Sequence, residues 1–319
     1  MRKFGGMALA VLLVAVGLSA SGAHVPAAAA VATGKIKWGG VAGDVPVAAD
    51  YTGDGRTDIA IYRPASGNWY VRGMTYPIQW GGQVGDQPVP ADYDGDRKAD
   101  LAVVRRGSDD ALYWYIRYSR GGTERIRWGV RWDEPVPADY NGDGRAEPAV
   151  IRHIAYGSSG ALYWYIRGWA APVRWGGWAV YADETGDYGW DDEPVPADYN
   201  GDGRTDIAVL RNCQKTSYYC QDGDERRWVW HIRRLSTISW LGGSTLPYEP
   251  VPAKYTGQSH DILAYFNQWD GMWHVRGHYS VRWGQAGDIP QVGNYGGNAK
   301  ADQVIYRPST GYWWIRWEA

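Results

Sequence analysis

From Lys35 onward the chain is a series of short runs in which apolar and polar residues alternate, separated by Gly, Pro, Asp and Asn. KIKWG at Lys35–Gly39, VPVAAD at Val45–Asp50, DIAIYR at Asp58–Arg63 and NWYVR at Asn68–Arg72 are the first four, and PIQWG at Pro77–Gly81 restarts the cycle. A two-residue period bounded by turn formers predicts strands with one buried face. Four such strands in every 40–60 residues make the unit of a propeller blade. We letter them by position: A precedes an acidic loop, B follows it, C carries the W-Y-x-R pattern and D the W-G pattern. Six copies of A-B-C are present, with D strands around Trp38, Trp80, Trp128, Trp175, Trp240 and Trp283. The first D precedes the first A, and the chain ends on a C strand. The pattern therefore predicts an all-β fold, a six-bladed β-propeller of four-stranded blades. The N-terminal strand completes the last blade, which removes an exposed edge.

The acidic loop between A and B is seen most cleanly at Asp198–Asp206, DYNGDGRTD. Oxygen-bearing side chains stand at Asp198, Asn200, Asp202 and Asp206, and the intervening glycines let the backbone curl those oxygens towards one point. Hard cations such as Ca²⁺ take six to eight oxygens at about 2.3–2.6 Å, and a D-x-[DN]-x-[DN]-G loop supplies them. The last acid comes at the ninth position and a β-branched run follows, so the loop joins strands rather than the helices of an EF-hand. Equivalent ligand sets are Asp50, Thr52, Asp54 and Asp58; Asp92, Asp94, Asp96 and Asp100; and Asp139, Asn141, Asp143 and Glu147. Up to four structural Ca²⁺ sites are expected. The first is weakened by Thr52, and the third has a longer arm at Glu147. Two further copies, Lys254–Asp261 and Asn294–Asp302, have decayed. Tyr51, Tyr93, Tyr140, Tyr199, Tyr255 and Tyr295 mark the six loops at spacings of 42, 47, 59, 56 and 40 residues, a repeat signature.

Trp38-Gly39, the loop Asp50–Asp58 and Tyr62-Arg63-Pro64, together with their later copies, resemble the FG-GAP repeat of the integrin α-chain type, also called VCBS-like. The resemblance covers residues 35–319. It implies a β-propeller with Ca²⁺ in the A–B loops. Integrin heads have seven blades, and the literal Phe-Gly and Gly-Ala-Pro pairs are absent here. Members of the family serve in adhesion, in sugar binding and as appendages of secreted enzymes, so the resemblance speaks to fold more than to activity.

Arg2 and Lys3, the apolar run Met7–Leu18 and small residues to Ala30 form a secretory signal pattern, too short for a stable membrane span. Cleavage after Ala23 or after Ala30 both fit, leaving residues 31–319 as one exported, extracellular propeller domain. Loss of the two basic residues takes the formal net charge from −2 to −4, with no basic excess for nucleic acid. In an exported chain the two cysteines, Cys213 and Cys220, are expected to form a disulfide.

The long third D–A connection, Gly176–Glu193, and the B–C connection Asn212–Arg227 lie on the face opposite the acidic loops. Long loops on a rigid scaffold commonly carry binding sites. Trp178, Tyr181, Asp187, Tyr188, Trp190 and Trp269 are the candidate ligand-binding residues, suited to carbohydrate. The expected product is a monomeric, lectin-like binding module with a carbohydrate or extracellular protein ligand. The alternatives are a secreted polysaccharide hydrolase or lyase and a protein–protein adhesion scaffold. The six histidines form no H-E-x-x-H pair and no G-x-S-x-G occurs, so no catalytic residue is assigned. Arg72, Arg117, Arg167, Arg233, Arg276 and Arg316 end the C strands. Asp44, Asp86, Glu134, Glu193, Glu249 and Asp288 precede the A strands. Their once-per-repeat recurrence predicts a ring of structural ion pairs between them, with a basic ring for ligands as the alternative.

Overall fold

The computed structural model describes residues 32–183, 186–213, 227–241 and 248–318. The signal segment 1–30 and Cys220, and with it the expected disulfide, lie outside the described residues. Strand β1 (Thr33–Lys37) comes first. Then follow β2 (Val45–Pro46), β3 (Ala60–Arg63), β4 (Asn68–Val71) and β5 (Ile78–Gln79). The second repeat gives β6 (Gln87–Pro88), β7 (Leu101–Arg106), β8 (Ala111–Arg117) and β9 (Thr123–Val130). The third gives β10 (Glu134–Pro135), β11 (Ala149–Tyr156), β12 (Ser159–Ile166) and β13 (Val173–Asp183). The fourth gives β14 (Gly186–Pro194), β15 (Ala208–Cys213), β16 (Arg227–Ile232) and β17 (Ser236–Leu241). The last two give β18 (Tyr248–Pro250), β19 (Ala264–Asn267), β20 (Met272–Val275), β21 (Tyr279–Arg282), β22 (Ile289–Pro290), β23 (Gln303–Arg307) and β24 (Tyr312–Arg316).

The architecture is an all-β propeller arrangement. β2 to β5, β6 to β9 and β18 to β21 are four-stranded sheets in chain order, and β22 to β24 are joined by β1 in the order β1-β24-β23-β22. β1 pairs antiparallel with β24, Lys35 opposite Trp314. β10 to β17 form a single eight-stranded sheet. The reason is local: the segment expected to be a long third D–A loop continues β13 and β14 as a hairpin, with Trp178 opposite Asp191 and Asp183 opposite Gly186. Among the described residues no helix is long and apolar enough to cross a membrane.

Alternation in sequence becomes alternation in burial. In β24 (YWWIR) Trp313 and Ile315 are buried and their neighbours half-buried. One C-strand tryptophan per repeat is wholly enclosed: Trp69, Trp114, Trp164, Trp230, Trp273 and Trp313 each have 0 % exposure. An enclosed indole needs a partner for its N–H. Trp69, Trp114, Trp164, Trp273 and Trp313 donate to the carbonyls of Trp80, Trp128, Trp175, Trp283 and Trp38, at 2.8–2.9 Å. The D-strand indoles in turn reach into the next repeat. Trp38 donates to Tyr70 O, Trp80 to Tyr115 O, Trp128 to Tyr165 O and Trp175 to His231 O, at 2.9–3.0 Å, and Trp283 donates to Trp314 O at 3.2 Å. Thus one indole fixes strand D to strand C within a sheet and a second joins neighbouring repeats.

The ion pairs recur, but between other residues than predicted. Both carboxylate oxygens of Asp44, Asp86, Asp133, Asp192 and Asp288 receive Nε and Nη2 of Arg63, Arg105, Arg152, Arg211 and Arg307, arginines of strand B. The C-strand arginines are elsewhere, and Glu134 and Glu193 stand one residue beyond the pairing aspartates. The reason is register. Strand B lies beside strand A, so its arginine faces the turn that precedes A, whereas strand C is one strand removed. Asp44, Asp86, Asp133 and Asp288 also accept a backbone N–H from the turn before them, such as Gln83 N to Asp86 at 3.0 Å, and Asp192 accepts from Gly177 N of β13 at 2.9 Å. The fifth repeat has lost both partners, with Tyr248 and Asn267 at the corresponding positions opposite one another.

Candidate metal centre

Each acidic loop is closed by a bridge between the residue before its first position and the residue at its end: Ala49–Asp58, Ala91–Asp100, Ala138–Glu147, Ala197–Asp206, Ala253–Ile262 and Gly293–Asp302. The marker tyrosines seal the base. Tyr51, Tyr93, Tyr140, Tyr199 and Tyr255 donate their hydroxyls to the carbonyl four residues earlier at 2.6–2.8 Å, and Tyr295 does so at 3.3 Å. The first aspartate of the loop shapes the turn. Asp50 accepts from Gly53 N at 2.6 Å and Gly55 N at 2.8 Å, and Asp92, Asp139 and Asp198 accept in the same way. The last acid accepts the marker tyrosine's N–H: Asp58 at 3.0 Å, Asp100 at 2.9 Å, Glu147 at 2.9 Å and Asp206 at 3.0 Å.

The loops also touch one another in succession. Ala99 N donates to Asp50 O, Ala146 N to Asp92 O, Thr205 N to Asp139 O, Asp261 N to Asp198 O and Ala301 N to Lys254 O, at 2.7–2.9 Å. Thr57 N donates to Asn294 O at 2.8 Å, so the first loop meets the sixth.

Among the described residues, carboxylate oxygens gather within 4.8 Å of one another in two loops, at Asp92, Asp94 and Asp100 and at Asp139, Asp143 and Glu147. The carboxylates of Asp50, Asp54 and Asp58, and of Asp198, Asp202 and Asp206, do not close to that distance. In the first loop the Thr52 hydroxyl turns to Asp50, 3.4 Å away. In the fourth the Asn200 amide donates to both Asp202 and Asp206, at 3.2 and 3.3 Å. In the third, Asn141 donates to Glu147. Asp96, expected as a ligand, turns instead to the Ser119 hydroxyl and to Lys98 N.

The charges are crowded. Burial, reinforced by their neighbouring acids, raises Asp58, Glu147 and Asp206, and it pushes Asp100 up to about 6. Asp94 is only 4 % exposed, and its buried Oδ2 accepts no hydrogen bond. A buried carboxylate oxygen that lies among two other carboxylates, and whose contact with Arg120 Nε at 2.8 Å lacks hydrogen-bond alignment, is what a hard divalent cation would satisfy. The donor set is all oxygen, with no sulfur or imidazole, so the residues fit Ca²⁺.

The carbohydrate candidates are less assembled. Trp178 is half-buried on β13 opposite Gly160 of β12. The side chains of Tyr181, Asp187, Tyr188 and Trp190 lie outside the described residues, although their backbones form the β13–β14 hairpin. Trp269, 63 % exposed, occupies the β19–β20 turn of a different sheet.

Sequence reading missed Trp132. It is 71 % exposed and lies 4.6 and 4.5 Å from the Arg106 and Arg131 guanidiniums. It holds φ +73° directly before the pairing aspartate, where Gly43, Gly85 and Gly287 stand in other repeats. A bulky residue at positive φ is strained, and such strain clusters at binding surfaces. The available signal was the replacement of a repeat glycine by Trp.

Residues 92–150 match the FG-GAP-like repeat family. That span holds both loops whose carboxylates gather. No curated protein matches the chain. Among solved structures, the crystal structure of BBS1N in complex with ARL6DN, soaked with lead, is similar over 89% of this chain and 96% of that chain, with 13% identity and a TM-score of 0.46.

Proposed function

We propose that the chain is an exported, calcium-stabilised β-propeller that serves as a binding module for carbohydrate. In this reading the ring has six blades. The eight-stranded sheet is two blades fused through the β13–β14 hairpin, and β1 closes the circle on β24. The indole relay and the succession of loop-to-loop hydrogen bonds support it. The observation that carries calcium is the gathering of the Asp92, Asp94 and Asp100 oxygens around the buried Asp94 Oδ2, which accepts no hydrogen bond and has the exposed Arg120 guanidinium as its ion-pair partner. Aspartates 92, 94 and 100 would hold one ion and Asp139, Asp143 and Glu147 another. The sets at Asp50–Asp58 and Asp198–Asp206 would close on an ion by small side-chain rotations. The metal would supply no chemistry here beyond cancelling charge and tying strand A to strand B.

Sugar recognition is supported by three exposed aromatics: Trp132, Tyr156 and Trp269 are 71, 53 and 63 % exposed and sit in or at the edge of B–C or D–A connections, at the strand ends away from the acidic loops, whereas Tyr76, 78 % exposed, lies in a C–D connection. Aromatic faces there can stack on sugar rings, while the neighbouring Arg and Asp side chains meet hydroxyls. The residues 1–30 pattern supports export. A glycan array of the mature protein, repeated with Trp269→Ala and Trp132→Ala, tests the ligand. Binding lost in either variant supports the reading, and a silent array together with retention on an extracellular protein would replace it with adhesion. Turnover of a bound glycan would make the protein an enzyme.

A further inference from the structure

The second acidic loop is covered by a turn that carries an arginine. The turn after β8, Tyr118-Ser119-Arg120-Gly121-Gly122, folds back over the loop. Ser119 N donates to Asp100 Oδ1 at 2.7 Å, and the Ser119 hydroxyl donates to Asp96. With Ser119 fixed in this way, Arg120 Nε is 2.8 Å from Asp94 Oδ2. The contact is an ion pair without hydrogen-bond alignment, since the same oxygen accepts no hydrogen bond. Asp94 is almost fully buried, whereas the Arg120 side chain is 59 % exposed and free to swing into solvent.

In the sixth repeat Glu318 N donates to Asp302 Oδ1 at 2.8 Å in the same way, but among the described residues the turns of the first, third and fifth repeats bring no arginine into an ion pair with their loops. Gly73, Gly168 and Gly277 follow the C-strand arginine in the first, third and fifth repeats, where Tyr118 stands in the second. Among the described residues no ion pair reaches Asp139, Asp143 or Glu147 of the third loop. Lys254 approaches Asp198 of the fourth loop only to 3.9 Å.

We propose that Arg120 is a tethered cation that competes with a divalent ion for Asp94, so that the second loop binds calcium more weakly than its geometry alone would allow and holds its shape when the ion is absent. This rests on the calcium reading above. A guanidinium and a metal ion cannot both occupy the open side of one buried carboxylate without strong repulsion. The two are therefore linked: ion entry drives Arg120 out, and Arg120 raises the ion concentration needed. The flexible partner is the exposed one, so the exchange requires no rearrangement of the sheet. Arg120 thereby sets apart two loops that share one acidic pattern, the second as the site filled at high calcium and the third as the site filled at low calcium.

The test uses calcium alone as the probe on the full mature chain, by isothermal titration calorimetry and by thermal unfolding with and without EDTA. Arg120→Gln should raise the affinity of one site about tenfold at low ionic strength, with a smaller gain at 0.5 M salt. It should also lower the melting temperature in EDTA while leaving that in saturating calcium equal to or above wild type. Arg120→Lys, which keeps the charge, should stay near the wild-type affinity. Adding Asp94→Asn to Arg120→Gln should abolish the gain and so assign it to this loop. If wild type binds calcium and Arg120→Gln leaves every site within twofold of it, the competition is refuted and the calcium reading stands. If neither protein binds calcium, the calcium reading itself falls and takes the competition with it.

Discussion

The repeated aspartate–arginine pair gives the fold's most exposed quantitative claim, and the second repeat is the place to test it. Asp86 has a side chain with no exposed surface, and Arg105 is 27 % exposed. The pair is bidentate at 2.6 and 2.8 Å, and the guanidinium also lies 4.6 Å from the Tyr115 ring. Arg105→Met keeps much of the stem's packing but leaves Asp86 with its turn N–H as the remaining partner in these contacts. Removing one partner of a buried pair costs about 3–5 kcal/mol, and Arg105's partial exposure puts the expectation near the lower end, about 3 kcal/mol. Asp86→Asn with Arg105→Met removes the stranded charge while the amide oxygen still accepts from Gln83 N. The double variant should therefore recover about 1.5–2 kcal/mol of that loss, a coupling of the size expected for groups in contact. Urea unfolding at fixed calcium and pH 7 measures all four corners of the cycle. A single-variant loss under about 1 kcal/mol, or a double variant that merely sums the two singles, would show that the pair is not the strut described here. The fifth repeat already carries the double loss: Tyr248 and Asn267 replace the pair, and Tyr248 packs edge-on to Tyr265 at 4.8 Å.

Three further outcomes are expected. Trp38→Ala removes an indole bonded to Tyr70 O and packed in the cluster that joins Ile59 and Ile61 to Tyr306 and Trp313; it should cost about 3–4 kcal/mol by chemical denaturation, and a loss under about 1 kcal/mol would refute its bridging role. Asp94→Asn should remove one calcium site by calorimetry and shrink the rise in melting temperature that calcium gives; an unchanged site count would reject the second loop as a site. Glu193 is pushed up to about 7, first by burial and then by Glu249, Glu134 and Asp191. A carboxyl raised in the folded state contributes stability that is complete below its ordinary value near 4.5 and is lost as pH climbs through about 7. Glu193→Gln should therefore stabilise the protein at pH 8, on the order of 1 kcal/mol once solvent screening at this open position is allowed for, and not at pH 4; equal effects at both pH values would exclude the linkage.

Much of the strand layout was legible because two-residue alternation is a direct image of a sheet with one buried face. The predicted runs at Asp58–Arg63 and Asn68–Arg72 overlap β3 and β4, and the acidic loops fall between the expected strands. What could not be read is register across strands. Nothing in the sequence says that Arg63 rather than Arg72 faces Asp44, since both recur once per repeat. The Gly176–Glu193 segment looked like a loop because Gly and Asp punctuate it, yet hairpin pairing outweighs those local signals. In the metal loops the residue types were plain, but their competition was hidden. Asp96 is drawn away by Ser119, which is 23 residues later in the chain, and only folding brings the two together.

The β1–β24 pairing has a kinetic meaning. Lys35 and Trp314 are neighbours in space yet 279 positions apart along the polypeptide (314 − 35). Among the described residues β1 has β24 as its sheet neighbour, so it must stay unsatisfied until that strand emerges. A link spanning so much chain is slow to find, because the entropy of drawing the ends together must be spent before any contact repays it. Assembly of this sheet should consequently finish late, and a product shortened before β24 would leave β1 and β23 with open, sticky edges.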